Sequence, residues 1–406
     1  MHAIKLTIPG KFWDSHVYAG KLYLFRRDSS VHTVDWDAAV EDRIKARELT
    51  LAMKCAFSQS NYLYHEHFEP LVRDPEIFDL IVEKFRRLSE TDIDMRPNYL
   101  GKYTFSTQDS PFPFPHADAR IYAKTMFVAS REGLFNASCG RKTKFGISTR
   151  PQKRWDAPST GLSAYSNTLA VAASDEGLWE SRIDATYWDY ADEVQNGSIR
   201  QVAKQHCSGC DWAYYSIYGK SHVNNGFLAS FEVNEEDDEE PVDASALWSE
   251  QRLRTTKRIR SFKRVVDSEK LFGSTGYSWA FRERIYQATP GRISVMRYVP
   301  WSDERESKFD LLDTISVASW KGEIVSAGVA VFGTVMEFEN AIVLHLSNGK
   351  VKTIKGEPVR WRVFPRSRHY ENHLHIIYDD RLEIWSFNHD YFVDQSAKRL
   401  GIAPYL

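Results

Sequence analysis

Cysteine is scarce: four residues, at 55, 139, 207 and 210, in a chain of 406. So sparse and uneven a set cannot supply the disulfide framework of a small secreted scaffold, and it agrees with a reducing compartment. Long apolar runs are missing too. No window reaches 18 consecutive apolar residues, and His2-Ala3-Ile4-Lys5-Leu6 lacks the charged-then-apolar layout of a secretory leader. A cytoplasmic location without membrane attachment is therefore expected. Charge of one sign is lacking as well: 53 Lys and Arg nearly cancel 55 Asp and Glu, leaving a formal −2. That balance excludes polyanion binding by bulk charge and confines any nucleic-acid contact to a local patch. Short catalytic signatures are also absent. There is no Gly-x-Ser-x-Gly elbow, no phosphate-cradling loop and no dinucleotide fingerprint, and Gly140-Arg141-Lys142 lacks the preceding glycine spacing. Neither a catalytic residue nor a cofactor is assigned on this basis.

What the chain does have is bulk aromatic content and an internal echo. Aromatics make up 14% of residues, including 12 Trp and 20 Tyr, beside 42% hydrophobic and 27% charged residues. Flat, bulky side chains suit strands packed on both faces, so a folded, mainly β protein is expected. The segment Ala129-Ser130-Arg131-Glu132-Gly133-Leu134-Phe135 returns 44 residues later as Ala173-Ser174-Asp175-Glu176-Gly177-Leu178-Trp179, each copy following an apolar run. A period in the forties built on strand, glycine turn and strand is the sequence form of a propeller blade.

Hairpin patterns dominate the rest. They run from Leu22 to Trp36, Met126 to Phe135, Leu169 to Trp179, Ile285 to Val299, Ile342 to Ile354 and Leu374 to Phe387, with a weaker one from Trp212 to Val233 across a loop holding Gly219 and Asn224-Asn225-Gly226. Asn348-Gly349 gives the clearest turn, because both residues tolerate the positive φ of a tight hairpin. This series resembles the β-propeller superfamily in general, over about three quarters of the chain. The recurring Gly-His and Trp-Asp signatures of WD40 blades are missing, and so is the spacing of a sialidase-type Asp-box, so no residue role is carried over. The resemblance implies about seven blades, with Ile4 to Ile8 supplying a closing strand beside the blade that ends near Phe387.

The long step from residue 22 to 126 reads as an insertion. Residues 1–36 are assigned to the first propeller strands, 37–99 to an inserted α-helical hairpin, and 100–406 to the remaining propeller. In the insertion Val40, Ile44, Leu51, Ala52 and Cys55 approximate one helical stripe. Asp74 can cap a second helix with Pro75 in its first turn and Ile77, Leu80, Ile81, Val82, Phe85 and Leu88 on an apolar face. The hairpin suits either a partner surface, presenting apolar anchors at i, i+3 and i+4 to a groove, or a lid packed on the ring with Phe78, Phe85 and Tyr62 turned inward. Pro111-Phe112-Pro113-Phe114-Pro115 must run extended. An acidic loop at 234–242 should be solvated.

Candidate chemistry is thin. Cys207-Ser208-Gly209-Cys210 has knuckle spacing for a metal, but a structural zinc needs four ligands and no second pair exists; a redox pair and a plain loop are the other readings. His65-Glu66-His67 lacks the His-Glu-x-x-His spacing of a zinc helix, and His373 and His375 share a strand face with His369 upstream. Residues 252–264 carry Arg252, Arg254, Lys257, Arg258, Arg260, Lys263 and Arg264, seven basic residues in thirteen. They suit an acidic protein face, or nucleic acid with Phe262 and Trp248 to stack on bases, or a solvated blade edge. The favoured reading is a non-catalytic interaction scaffold with a protein partner. The alternatives are a propeller hydrolase or lyase with its site on loops at the central channel mouth, and a nucleic-acid-binding accessory protein.

Overall fold

The computed structural model describes residues 2–43, 47–64, 67–72, 74–165, 167–184, 195–214, 216–222, 225–232, 261–299, 308–317 and 322–388. Among these residues the strands pair into seven sheets, antiparallel except where the two-residue strand Ile93–Asp94 runs parallel to His2–Pro9, and this makes the fold a seven-bladed β-propeller. The first blade is Phe12–Tyr18, Lys21–Arg26, Ser30–Asp35 and Thr104–Asp109. Blades two to four are Asp118–Tyr122 to Gln152–Trp155, Gly161–Tyr165 to Gln195–Ala203, and Gly209–Ala213 to Ser261–Asp267. Blades five and six are Tyr277–Phe281 to Lys308–Ser316 and Ser326–Ala330 to Val351–Lys355. The seventh takes Arg360–Val363, His373–Ile377 and Arg381–Asn388 from the end of the chain and its fourth strand, His2–Pro9, from the start.

Two compact units make up the chain: Met1–Pro115 with Ala137–Pro151 and Gly322–Leu406, and His116–Asn136 with Gln152–Lys321. In the second unit the repeat explains itself. Its apolar runs become Thr125–Ser130 and Thr168–Ala172, second strands buried at every position. Burial on both faces removes the usual alternation of apolar and polar residues. The repeated glycines sit where the next strand's backbone presses in: a Cβ on Gly133 (φ +121°) would stand 2.0 Å from the Trp155 carbonyl oxygen, and on Gly177 (φ +86°) 2.3 Å from that of Ala203. Only glycine fits both the conformation and the space. One expected loop is not a loop: Gly219 lies within the strand Ser216–Lys220, where a Cβ would meet the Phe227 ring at 2.5 Å. The segment from Trp212 onward is therefore two hairpins rather than one.

In the first unit the helices lie between the third and fourth strands of the first blade. They are α1 (Trp36–Arg43), α2 (Thr50–Phe57), α3 (Glu69–Val72), α4 (Pro75–Ser89) and α5 (Pro97–Leu100). The helical region is more divided than a hairpin. Val40 to Leu51 is 11 residues, three turns of helix, so one straight helix and two helices on a common core give the same apolar period. Asp74 caps α4 as expected, accepting from Glu76 N at 2.9 Å and Ile77 N at 3.2 Å. Ile81, Phe85 and Leu88 of α4 join one core with Ile4, Leu6 and Ile8. The acidic loop at 234–242, Ile44, His65 and Glu66 lie outside the described residues.

The closing strand holds its place along its whole length. Ala3 stands opposite Phe387, Ile4 opposite Ser386 and Ile8 opposite Leu382, while the two-residue strand Ile93–Asp94 pairs with Leu6 and Thr7 on the other edge. Ile4, Leu6 and Ile8 are buried to 1% exposure or less, and each such side chain contributes about 1.5–3 kcal/mol. Their sum approaches the whole stability of an ordinary domain, about 5–15 kcal/mol. Removing residues 1–9 is expected to abolish the cooperative thermal transition of the first unit or lower it by more than about 10 °C. A truncated protein that melts within about 2 °C of the full chain would refute this role.

Candidate interaction surfaces and a buried polar clasp

The apolar face of α4 is split between core and solvent. Ile81, Phe85 and Leu88 are buried, but Leu80 is 63% exposed and Ile77 36% exposed, so the predicted stripe is wider than the face that packs. Ile77 and Leu80 are one helical turn apart, and Glu76 and Asp79, both exposed, flank them. Across the insert Tyr62 is also exposed, stacked on Phe68 with ring centroids 4.7 Å apart. That corrects the inward reading of Tyr62. The hydroxyl favours water when no buried partner is at hand, whereas Phe85 has nothing to lose by burial. An outward apolar pair on a capped, sealed helix is what a partner groove reads at i and i+3.

The polar residues that gather most tightly in this unit do the opposite. From Asp14 to Val17 every residue of the strand Phe12–Tyr18 is buried, so the consecutive residues Asp14 and Ser15 are both inside. Arg362 forks onto Asp14, Nε to Oδ1 and Nη2 to Oδ2 at 2.5 Å each, and Arg360 Nη1 reaches Oδ2 at 3.0 Å. Ser15 N donates to Asp14 Oδ1 at 2.8 Å, and Ser15 Oγ lies 2.9 Å from His375 Nδ1. These bonds tie the first strand of the first blade to the first two strands of the seventh. Asp14 is wholly buried and both its oxygens are engaged, so no substrate reaches it as a base. The arrangement acts as a clasp.

The clasp continues into the helices. His373 Nε2 donates to the Ala56 carbonyl at 2.9 Å, and Trp36 Nε1 donates to that of Phe57 at 2.6 Å. Asn372 Nδ2 reaches Cys55 O at 3.4 Å. The last carbonyls of α2, which lack partners in any helix, thus find them in a strand of the seventh blade and in α1. His373 and His375 share a strand face as expected, their rings 5.7 Å apart. Burial holds His373 down at about 4. Burial first, and then the neighbouring His373, His16 and Arg362, push His375 well below the usual imidazole value, with Asp14 opposing.

The other candidates are dispersed. Cys207 lies in the connection before the strand Gly209–Ala213, paired by an isolated bridge with Ser174, and Cys210 lies in that strand; both are buried. Their thiols donate to the Gly177 and Gly161 carbonyls at 3.4 and 3.8 Å. Burial raises Cys207 to about 12 and, as the first of several causes, lifts Cys210 well above the ordinary thiol. Among the described residues no three of His, Cys, Asp and Glu form a metal-holding group. His67 is exposed beyond α2, and His369 Nδ1 lies 2.9 Å from Asn61 Oδ1. Arg252, Arg254, Lys257, Arg258 and Arg260 lie outside the described residues. Lys263 and Arg264 fall in the outer strand of the fourth blade, where Arg264 stands opposite Ser230. No helix among the described residues is long and apolar enough to cross a membrane.

No family model and no curated protein matches the sequence. Solved structures do resemble it. The computationally designed Ika8 protein is 8% identical with a TM-score of 0.44, over 94% of this chain and 99% of that one. The β-propeller domain of Myceliophteria thermophila Cps50 (Swd1) is 10% identical with a TM-score of 0.39, over 67% and 96%. The WD40 β-propeller domain of Doa1 is 8% identical with a TM-score of 0.34, over 70% and 94%.

Two measurements probe the clasp. Asp14→Ala leaves the buried Arg362 guanidinium without its carboxylate, and a loss of about 3–5 kcal/mol in urea unfolding is expected, against under about 1 kcal/mol for Arg86→Ala on the exposed face of α4. Equal effects would remove the clasp from the argument. His373 is neutral when folded and titrates near 6.5 when unfolded, so its contribution is complete above about pH 6.5 and is lost as pH falls toward about 4. The share of the drop that His373 carries across that window is about 3 kcal/mol, and His373→Gln should lessen the slope while leaving the share that His375 carries. An unchanged slope in the variant would show that other groups carry the acid sensitivity.

Proposed function

We propose that the chain is a non-catalytic interaction scaffold whose protein partner docks on the outward face of the helical insert, in the cytoplasm. The observation that carries this reading is the exposure of Ile77 and Leu80 on α4 while the opposite face of the same helix is sealed into the core with Ile4, Leu6 and Ile8. A rigid mount lowers the ordering cost of binding, since the docking residues are held before the partner arrives. The fitting partner is an amphipathic helix with apolar anchors bordered by Lys or Arg, complementary to Glu76 and Asp79.

The hydrolase or lyase alternative needs carboxylates or imidazoles that a substrate can reach. Asp14, His373 and His375, the tightest gathering of such groups in the first unit, are spent on each other, on Arg362 and on α2. This weighs toward the scaffold. The nucleic-acid alternative rests on residues 252–264 by their sequence.

The scaffold reading is tested by quantitative co-purification of the tagged full chain against Ile77→Glu/Leu80→Glu. Both residues are exposed, so an unchanged thermal melt is expected, with specific partners depleted about tenfold or more in the double variant. Partners retained at wild-type level would move docking off α4. A wild-type preparation without a stable partner but with stoichiometric bound metal would favour the enzyme.

A further inference from the structure

From Gly133 to Trp155 the sequence holds Arg141, Lys142, Lys144, Arg150, Lys153 and Arg154 and not one Asp or Glu. Four of these cations sit on the loop after the strand Gly133–Ser138, and the loop is closed at its neck where Ser148 N donates to Ser138 O at 2.8 Å. Inside it Arg141–Thr143 make a single turn, Phe145 N returns to Gly140 O at 2.8 Å, and Thr143 Oγ1 lies 2.9 and 2.7 Å from the Gly140 and Gly146 carbonyl oxygens. Two consecutive residues, Lys144 (φ 52°) and Phe145 (φ 62°), take the left-handed conformation. Side chains with Cβ avoid that region, so the geometry is imposed by what surrounds it. Tyr23 donates its hydroxyl to Phe145 O at 2.5 Å, and Gln108 Nε2 donates to Ile147 O at 3.1 Å. The loop is thereby pinned to the first blade.

Pinning sets what faces water. Arg141, Lys142, Lys144 and Arg150 are exposed, while Thr143 and Phe145 are half-buried and Gly146 and Ile147 are buried. Beside them, on the outer strand Thr104–Asp109, Phe105 is 43% exposed, and a Cβ on Gly146 would lie 3.8 Å from its ring. Lys21 Nζ stands 5.4 Å from the same ring centroid and also pairs with Asp35 at 2.7 Å. Asp109 is the exposed acid at the far end of that strand. A wet aromatic ring amid cations on a fixed backbone matches neither a core nor an ordinary edge.

We propose that this loop and Phe105 form a binding surface for single-stranded nucleic acid. Phosphates follow Arg141, Lys142, Lys144 and Arg150, and a base meets the Phe105 ring; stacking on an aromatic platform within a basic track is how sequence-tolerant strands are held. An acidic peptide would use the cations but gain little from the ring. The surface is separate in sequence from 252–264 and is independent of docking on α4.

The test is fluorescence anisotropy of the full chain with a labelled oligothymidylate of about 20 nucleotides, from about 50 to about 200 mM salt. Binding is expected, and Arg141→Ala/Lys142→Ala/Lys144→Asn should weaken it about tenfold or more at the low end and flatten the log–log salt dependence by about 2. Asn tolerates the positive φ at 144, which protects the fold. Should the triple variant nevertheless melt early, Arg141→Glu and Lys142→Glu, singly, carry the comparison. Phe105→Ala should weaken binding several-fold with the salt slope unchanged. No anisotropy change at low salt overturns the proposal, as does a loop variant that binds like wild type while alanines across 252–264 abolish binding. Loss on removing the cations but none on removing Phe105, with polyglutamate displacing the oligonucleotide, assigns the surface to an acidic peptide instead.

Discussion

Eight residues from the start of the chain pair with eight residues near its described end, His2 against Asn388 through Pro9 against Arg381. Without that ladder the strand Arg381–Asn388 would keep a bare edge, and the apolar faces of Ile4, Leu6 and Ile8 would leave the core they share with Ile81, Phe85 and Leu88. Edge strands are costly to leave open, because their free N–H and C=O groups recruit other chains. This one pairing completes the seventh blade and joins to it the helices that pack on Ile4, Leu6 and Ile8.

A division of labour follows within the first unit. Charged and imidazole groups that sequence reasoning would associate with chemistry are turned inward, where Asp14, Arg360 and Arg362 join two blades and His373 and Asn372 terminate α2. Such buried pairs add little net stability over an apolar core, yet they are intolerant of losing one member, so they enforce a single arrangement. Outward, the same unit offers apolar side chains on α4 and cations on the Gly140–Gly146 loop. Polar groups thus hold the inside together, while apolar and cationic side chains face outward.

Much of the architecture was legible because it is local. The repeated glycine turns, the hairpins around Asn348-Gly349 and Asp379-Asp380, and the Asp74 cap each depend on neighbours a few residues away. The closing strand was legible through the resemblance to propellers, not through its own six or eight letters. The clasp was not visible: Asp14 and Arg362 are 348 positions apart, and an Asp and a Ser inside a strand buried on both faces read in sequence like residues of a turn. Gly219 misled because a glycine inside a strand, where the Phe227 ring approaches, looks like a glycine in a turn. Tyr62 misled because an aromatic letter says nothing about which side of a short helical turn it occupies. The basic loop was overlooked for a different reason. Its signal is a stretch of 23 residues without an acid, quieter than the dense run at 252–264, and only the left-handed backbone at Lys144 and Phe145 shows that the cations are displayed together.

The pairing of His2–Pro9 with Arg381–Asn388 also orders events on the ribosome. His2–Pro9 meets its mate only once Arg381–Asn388 has been made, because more than 370 residues separate the two. At about 5–20 residues per second, translation leaves the edge of His2–Pro9 that faces Arg381–Asn388 unpaired for roughly 20–75 s. Until then that edge keeps free N–H and C=O groups, open to pairing with another chain.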